Sequence, residues 1–357
     1  MLSTIVTSCG RSPASILFMV IAVISCLVDF TLAVKIRGGA DPTIMKVGDN
    51  YYSAESASGG IWVREATTLE GLGASDVRRE KVWSDDAGRG AIWAPEITTD
   101  LGRAFIHFSA GEDAAHRMYV ISADSPLGTY SAESKLDLPD DQWAIDGTFF
   151  VFEGLGWFVW SGWDSESNNS EQNLYICRMN SPTEPIGQRY IISQPRESWE
   201  QGDSPRINEG PEAIVDPNGQ LHIVYSANGS WGNKYCLADL RLRKGGDPTY
   251  VWDWYKSNGC LFGSHQDRMM QGWDATLYID GPGHHTFALD DGEVSQSPGG
   301  TNRIPFVFHG VEKGTPYSWE ARSWFTGSYV WWSNTAYTRG DVPGDRTNTG
   351  YSFKFFE

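Results

Sequence analysis

Short hydrophobic runs that end in polar turns recur along most of the chain. Residues 103–108 (RAFIHF) follow a turn at 100–102 (DLG), and residues 221–225 (LHIVY) follow a turn at 216–219 (DPNG). Such runs, rich in β-branched and aromatic residues and bounded by Gly, Asp, Asn or Pro, are typical of strands joined by tight turns. No stretch keeps the period of an amphipathic helix beyond one or two turns. The pattern therefore predicts an all-β protein.

A unit of two strands and a turn occurs five times. The turns fall near residues 48–50, 100–102, 153–156, 216–219 and 290–292, at intervals of roughly 50 to 75 residues. Such a period is typical of a β-propeller, in which each repeat is one four-stranded blade. We therefore predict that residues 34–357 form a single domain, a five-bladed β-propeller with its active site in the central channel. A β-sandwich with irregular loops is the alternative.

Chemically distinctive residues stand where each predicted inner strand begins. The motifs are Asp41-Pro42, Trp93-Ala94-Pro95-Glu96, Ile145-Asp146-Gly147, Glu209-Gly210-Pro211 and Gly281-Pro282-Gly283-His284. The Gly and Pro that follow Glu209 place this carboxylate on a stiff corner of the chain. Because the inner strands of a propeller line one channel, we expect three carboxylates, a tryptophan and a histidine to converge there.

At these five motifs the sequence resembles glycoside hydrolase family 43, from about residue 39 to about residue 344. The motifs stand in the order of the family pattern. The resemblance implies a five-bladed propeller that hydrolyses arabinofuranosides or xylosides with inversion at the anomeric carbon. It also implies that Asp41 is the general base, which activates a water, and that Glu209 is the general acid. Asp146 would be the third carboxylate, which orients the acid and raises its pKa by like-charge repulsion.

The resemblance implies roles for further residues. Trp93 would be the platform on which the sugar stacks, and Glu96 would support its loop rather than touch the sugar. Arg322 would reach the sugar from the last blade. His284 would help to hold a metal ion, often calcium, mainly through water; a neutral, hydrogen-bonded histidine without an ion is the alternative. After Arg322 the sequence departs from the family pattern, which leaves closure of the propeller open.

Further motifs resemble a branch of the family that acts on arabinan. They include residues 160–163 (WSGW), 172–175 (QNLY) and 225–227 (YSA). The resemblance implies a secreted exo-α-1,5-L-arabinofuranosidase acting on plant cell-wall arabinan or arabinoxylan. A β-xylosidase or an endo-arabinanase on the same scaffold is the alternative, and a propeller that binds sugar without cleaving it is a rival of another class. A fructan-cleaving enzyme is disfavoured because Asp41 follows Gly39-Ala40 and not Asn.

Composition agrees with a sugar substrate. The chain has 16 Trp, 15 Tyr and 16 Phe, and aromatic rings stack on the C–H faces of sugars. Its net charge of -17 disfavours nucleic acid and anionic membranes as partners, since both require a basic surface. We expect a monomer with no organic cofactor.

Residues 1–33 are predicted to be a signal peptide. Arg11 precedes an apolar run at about 14–28, and residues 31–33 (TLA) offer a cleavage site; a signal anchor is the alternative. Cys177, Cys236 and Cys260 follow this leader, so an oxidising compartment allows one disulfide and one free thiol. We expect the disulfide to join Cys236 to Cys260.

Overall fold

The hydrophobic runs form strands throughout the computed structural model, which describes residues 33–264, 277–290, 303–333 and 351–357. Helix in the described residues consists of short 3-10 turns, at Glu70–Gly73, Asp113–Ala115, Pro139–Asp141, Ser198–Glu200 and Val251–Asp253. The prediction of an all-β protein is thus confirmed. The predicted signal peptide lies outside the described residues except for Ala33. No helix in the described ranges is long and apolar enough to cross a membrane.

The first strands form two antiparallel sheets. In chain order they are β1 (Lys35–Gly38), β2 (Ile44–Val47), β3 (Asn50–Ser56), β4 (Gly60–Ala66), β5 (Arg78–Ser84), β6 (Trp93–Asp100), β7 (Arg103–Ala110), β8 (Arg117–Ala123) and β9 (Ser134–Lys135). Strands β2 to β5 pair in sequence order as one sheet, and β6 to β9 pair as the next. Strand β1 belongs to neither, because it pairs with a strand near the C-terminus.

The middle of the chain forms two groups of four strands. They are β10 (Ala144–Phe152), β11 (Leu155–Gly162), β12 (Glu171–Ser181), β13 (Glu184–Ser193), β14 (Arg206–Val215), β15 (Leu221–Ala227), β16 (Cys236–Leu242) and β17 (Trp254–Lys256). A short parallel contact between β12 and β14 joins the groups, with Glu171 opposite Arg206 and Gln172 opposite Ile207. The predicted turn at 153–156 is shorter than expected, since Leu155 already pairs with Phe152.

The last sheet combines both ends of the described chain. Its strands are β18 (Ile279–Phe287), β20 (Ile304–Glu312), β21 (Ser323–Ser333) and β22 (Tyr351–Phe356), while β19 (Leu289–Asp290) pairs in parallel with β2. The outer edge of β21 pairs with β1 along its first half and with β22 along its second half. The C-terminal segment that departs from the family pattern therefore still completes a sheet.

Buried hydrophobic clusters lie between successive sheets. They are represented by Ile61 with Ile106, Met118 with Phe158, Val159 with Ile223, Val224 with Phe308, and Val307 with Ile44. The last pair connects β20 of the final sheet to β2 of the first sheet. The sheets thus pack in sequence order and return to the first one, which brings their inner strands together.

The predicted disulfide is confirmed. Cys236, at the start of β16, is bonded to Cys260, and their Cα atoms are 5.9 Å apart. Cys177 is a free and fully buried thiol of β12. Burial raises the pKa of Cys177 to about 12, so this thiol stays protonated and unreactive.

Candidate active site

The inner strands are bulged at the predicted motifs. The pairing register shifts between Trp93 and Glu96 in β6, between Ile145 and Thr148 in β10, between Glu209 and Glu212 in β14, and on both sides of Gly283 in β18. A β-bulge bends its strand and re-aims the side chains beside it. The motifs therefore mark positions where the hydrogen-bond ladder between paired strands is interrupted. At these positions particular side chains can turn towards the centre of the molecule.

Three of the predicted site residues, and the glycine after Glu209, have an unusual backbone conformation. The φ angle is 51° at Asp41, 55° at Asp146 and 41° at His284, and it is 54° at Gly210. Residues other than glycine rarely adopt positive φ, and where they do the surrounding structure must hold them. Such strained positions cluster at functional sites, and here they direct side chains from separate sheets towards one cavity.

A cavity of about 300 Å³ is lined by every residue that the sequence predicted for the site. These residues are Asp41, Trp93, Asp146, Glu209, His284 and Arg322. The expectation that these residues stand at the starts of their strands is wrong for three of them: Asp146, Glu209 and His284 lie inside β10, β14 and β18. Glu209 is an example. The reason is that β14 begins at Arg206, where the chain already pairs with β12.

Asp41 is held in its charged form. Burial alone would raise the pKa of this carboxyl, but His284, His309 and Arg322 together hold it well below its usual range. Its Oδ1 lies 3.4 Å from Nδ1 of each histidine, and its backbone N–H donates a hydrogen bond of 2.9 Å to Nδ1 of His309. The Asp41 side chain is 29% exposed, so water can reach it. An ionised, solvent-accessible carboxylate can accept a proton from water.

Glu209 is held in its protonated form. Its pKa lies well above the usual value, first because the carboxyl is buried and second because Asp146 carries a like charge. The sequence predicted only the effect of the like charge, and burial is the larger cause of the raised pKa. A carboxyl that keeps its proton at neutral pH can serve as a general acid.

Asp146 interacts with neighbours of both Asp41 and Glu209. Its Oδ2 accepts a hydrogen bond of 3.0 Å from the backbone N–H of Gly210, and it lies 3.8 Å from Nδ1 of His284. Burial raises the pKa of Asp146 to about 6, although the interaction with His284 acts in the opposite direction. Because Gly210 directly follows Glu209, this hydrogen bond can fix the orientation of the acid.

A second cavity, of about 10 Å³, has room for about one water and shares Asp146 and His284 with the larger one. Glu96 and Glu212 line it. Burial raises the pKa of Glu96 to about 8, and burial together with the charge of Glu96 raises the pKa of Glu212. At neutral pH this pair therefore keeps at least one proton. Glu96 lines this smaller cavity and not the larger one, which fits a supporting residue.

A preformed metal cage is absent from the described part of the chain, where no group of three or more His, Cys, Asp and Glu side chains is arranged to hold an ion. Calcium takes six to eight oxygen ligands, so an imidazole is a poor partner for it. The cavity residues do not supply such a shell directly. An ion beside His284 would have to be held mainly through water.

Trp93 and Arg322 stand at the mouth and the wall of the cavity. Trp93 is 45% exposed, and its ring packs on His116 with the centroids 4.1 Å apart. The Arg322 guanidinium reaches within 4.0 Å of Asp41 Oδ1, and its Nε donates a hydrogen bond of 3.0 Å to the carbonyl of Trp319. Both side chains are therefore held in place by neighbouring residues.

A family model described as Glycosyl hydrolases family 43 matches residues 32–324. The chain belongs to this family. The match includes all six predicted site residues, from Asp41 to Arg322.

Two characterised relatives are arabinofuranosidases by name. The extracellular exo-α-(1→5)-L-arabinofuranosidase of Streptomyces avermitilis is 33% identical over 265 residues, which cover 71% of this chain and 52% of the relative. α-L-Arabinofuranosidase 43 of Humicola insolens is 28% identical over 267 residues, which cover 72% and 53%. The chain thus spans about half the length of these two relatives.

Solved structures agree on the fold. The α-L-arabinofuranosidase of Lactobacillus brevis has a TM-score of 0.68 at 25% identity and covers 88% of this chain and 95% of its own. An endo-arabinase of Bacteroides thetaiotaomicron has a TM-score of 0.59 at 16% identity, with 83% and 96% covered. At that identity the second likeness concerns the fold alone.

Several residues of this family 43 site were not predicted from the sequence. Trp143, Ser230, Trp231 and Trp319 also line the cavity. His309, which accepts the hydrogen bond from Asp41, was missed as well. Its only sequence signal is a histidine amid the hydrophobic residues of β20, and this pattern is shared by many core histidines.

Proposed function

We propose that this protein is an inverting α-L-arabinofuranosidase that releases L-arabinofuranose from arabinan or arabino-oligosaccharides. The observation that carries the proposal is the meeting of three carboxyl groups with opposed pKa shifts in one cavity. Asp41 is held ionised and Glu209 is held protonated, which are the states that a base and an acid require. The names of the characterised relatives support arabinofuranose as the sugar and exo action as the mode.

The proposed reaction is a single displacement. Asp41 accepts a proton from a water as that water attacks the anomeric carbon, and Glu209 gives its proton to the oxygen of the leaving sugar. Inversion requires space for the water between the base and the sugar, which the open side of Asp41 allows. A cavity of about 300 Å³ is small for a ligand pocket and suits one or two pentose rings.

Activity is tested with three substrates: an aryl α-L-arabinofuranoside, an aryl β-xyloside and debranched arabinan, with product sizes recorded. We expect cleavage of the arabinofuranoside and release of free arabinose from arabinan. Cleavage of the xyloside alone would make the protein a β-xylosidase, and long products from arabinan would make it an endo-arabinanase. Binding of arabinan without any cleavage would overturn the enzymatic proposal.

We also propose that residues 34–357 form a five-bladed propeller and that the protein is secreted as a monomer. The five hydrophobic clusters between successive groups of strands support the blade number. The disulfide supports secretion, because disulfides persist in oxidising compartments, and one relative is named extracellular. The substrate would be plant cell-wall arabinan or arabinoxylan.

Replacing Asp146 by asparagine is expected to move the alkaline limb of the kcat/KM profile to lower pH. Glu209 must be protonated to act, so activity falls as the pH rises through its pKa. Without the Asp146 charge that pKa falls, but burial keeps it above the usual value. The pKa of Asp146 is about 6, so its charge acts only above about that pH.

The control for this prediction is Asp124→Asn, because Asp124 is almost fully exposed and does not line the cavity. Its profile should match that of the unaltered protein. An alkaline limb that stays in place in Asp146→Asn would mean that Asp146 does not act on the pKa of Glu209.

We propose further that a calcium ion binds beside His284 through water, and a chelator tests this. A ligand that binds only the folded state at about 100 times its Kd adds about 2.7 kcal/mol of stability, so its removal should lower Tm by about 5 °C. The same treatment of His284→Ala should change nothing. An unchanged Tm in the unaltered protein would leave His284 as a structural histidine without an ion.

A further inference from the structure

Two tryptophans that no motif predicted form a corner at the mouth of the cavity. Trp231 is 40% exposed and Trp319 is 54% exposed, and both line the cavity. Their ring centroids are 6.3 Å apart and their planes lie at 75° to one another. Single exposed hydrophobic residues are common, but two indole rings side by side at the edge of a cavity that contains three carboxyl groups mark a binding surface.

The loop that carries Trp231 is held rigidly. Asn228 accepts a hydrogen bond from the backbone N–H of Gly202 at 2.9 Å, and its amide donates to the carbonyls of Trp199 and Lys234, each at 3.1 Å. A side chain at Gly229 would collide with the Trp231 ring, with its Cβ 2.4 Å from ring atoms. The ring thus packs directly over the glycine, and its position is set before any ligand arrives.

Tyr317 links the loop that carries Trp319 to the loop that carries Trp231. Its hydroxyl donates to the carbonyl of Ser230 at 3.4 Å, or to that of Gly281 at 3.3 Å. Trp319 lies two residues further along, and its ring contacts the Arg322 guanidinium at 5.9 Å from the centroid. The two tryptophans lie in loops of different sheets, and Tyr317 contacts both loops. Preorganised aromatic surfaces bind at low entropic cost.

The position of Trp231 relative to the acid indicates which part of a substrate this ring, and Trp319 beside it, would meet. Ser226 of β15 stands opposite Glu209 of β14, and Trp231 lies in the loop that follows β15. Trp93 belongs to the separate sheet that begins with β6. Since the acid gives its proton to the leaving oxygen, the sugar that departs lies on the side of Glu209.

We propose that Trp231 and Trp319 form the subsite for the departing sugar, in which a pentose ring of the arabinan chain stacks on an indole. The inference rests on the proposed hydrolase function and adds to it the residues that select a sugar as the leaving group. Ser230 and Arg322 stand beside the rings and supply polar partners for hydroxyl groups. In this subsite the tryptophans would bind the departing sugar, away from the reacting bond.

The test compares a leaving group that has a ring with one that has none. Trp319→Ala and Trp231→Ala are measured on arabinotriose and on α-L-arabinofuranosyl fluoride, whose leaving group is a single atom. We expect each variant to lose about tenfold in kcat/KM on arabinotriose, as stacking between rings is worth about one factor of ten. On the fluoride we expect no more than about a twofold change. Trp252→Ala is the matched control, because Trp252 is 75% exposed and does not line the cavity.

The possible results distinguish failure of the proposed subsite from failure of the proposed hydrolase function. Equal losses on the two substrates, or no loss on either, in a protein that cleaves both would overturn the subsite and leave the hydrolase function intact. A protein that cleaves neither substrate before any substitution would overturn the function and the subsite together. An unchanged Tm in both tryptophan variants excludes a folding defect as the cause of a loss.

Discussion

Replacing Glu209 by alanine is expected to slow hydrolysis of arabino-oligosaccharides by about 10²–10⁴-fold. A sugar alkoxide is a poor leaving group, so it needs the proton that Glu209 holds in its buried, protonated carboxyl. An aryl group whose phenol has a low pKa departs without that proton. On an activated aryl arabinofuranoside the loss should therefore be much smaller. Steady-state kinetics on both substrates measure the difference.

Glu209→Gln is the control for shape, since its amide fills the same space but has no acidic proton. It should lose as much as the alanine variant on the oligosaccharide. The same factor of loss on both substrates would mean that Glu209 is not the acid. Full activity of the glutamine variant would mean that its role is to hold the substrate.

Replacing Asp41 by alanine is expected to slow hydrolysis of both substrates by similar factors, about 10²–10⁴-fold on each. The attacking water must lose its proton whichever group departs, so a good leaving group does not compensate for the missing base. Azide, a small anion that needs no deprotonation, should restore cleavage of the aryl substrate by attacking in the place of the water.

Asp41→Asn is the second variant for this prediction. It keeps the shape of the side chain and leaves the backbone N–H that donates to His309 in place. It should be as inactive as the alanine variant. Activity that persists on the aryl substrate in either variant would show that another group activates the water.

The three carboxylates could be found from sequence because each stands in a motif with Gly or Pro beside it. The structure shows the physical reason for that pattern. Asp146 and Glu209 occupy bulged strands, and Gly210 takes a positive φ as it donates its N–H to Asp146. Local sequence encodes such a bulge, so the motif carries the signal.

Other features depend on contacts between distant segments, and no local pattern encodes them. Strand β1 pairs with β21, although almost the whole chain separates these two strands in sequence. The main cause of the raised pKa of Glu209 is its burial, which only the packed structure reveals. Trp231 and Trp319 lie in loops of two different sheets, and neither loop by itself shows that the rings meet.

The stereochemistry of the first product tests the central claim most directly. Proton NMR at early times, before the free sugar equilibrates, identifies which anomer of arabinose the protein releases from an α-L-arabinofuranoside. If Asp41 activates a water while Glu209 protonates the leaving oxygen, the β-anomer appears first and the α-anomer grows in later. Release of the α-anomer first would require a covalent intermediate and would contradict the assignment of both residues.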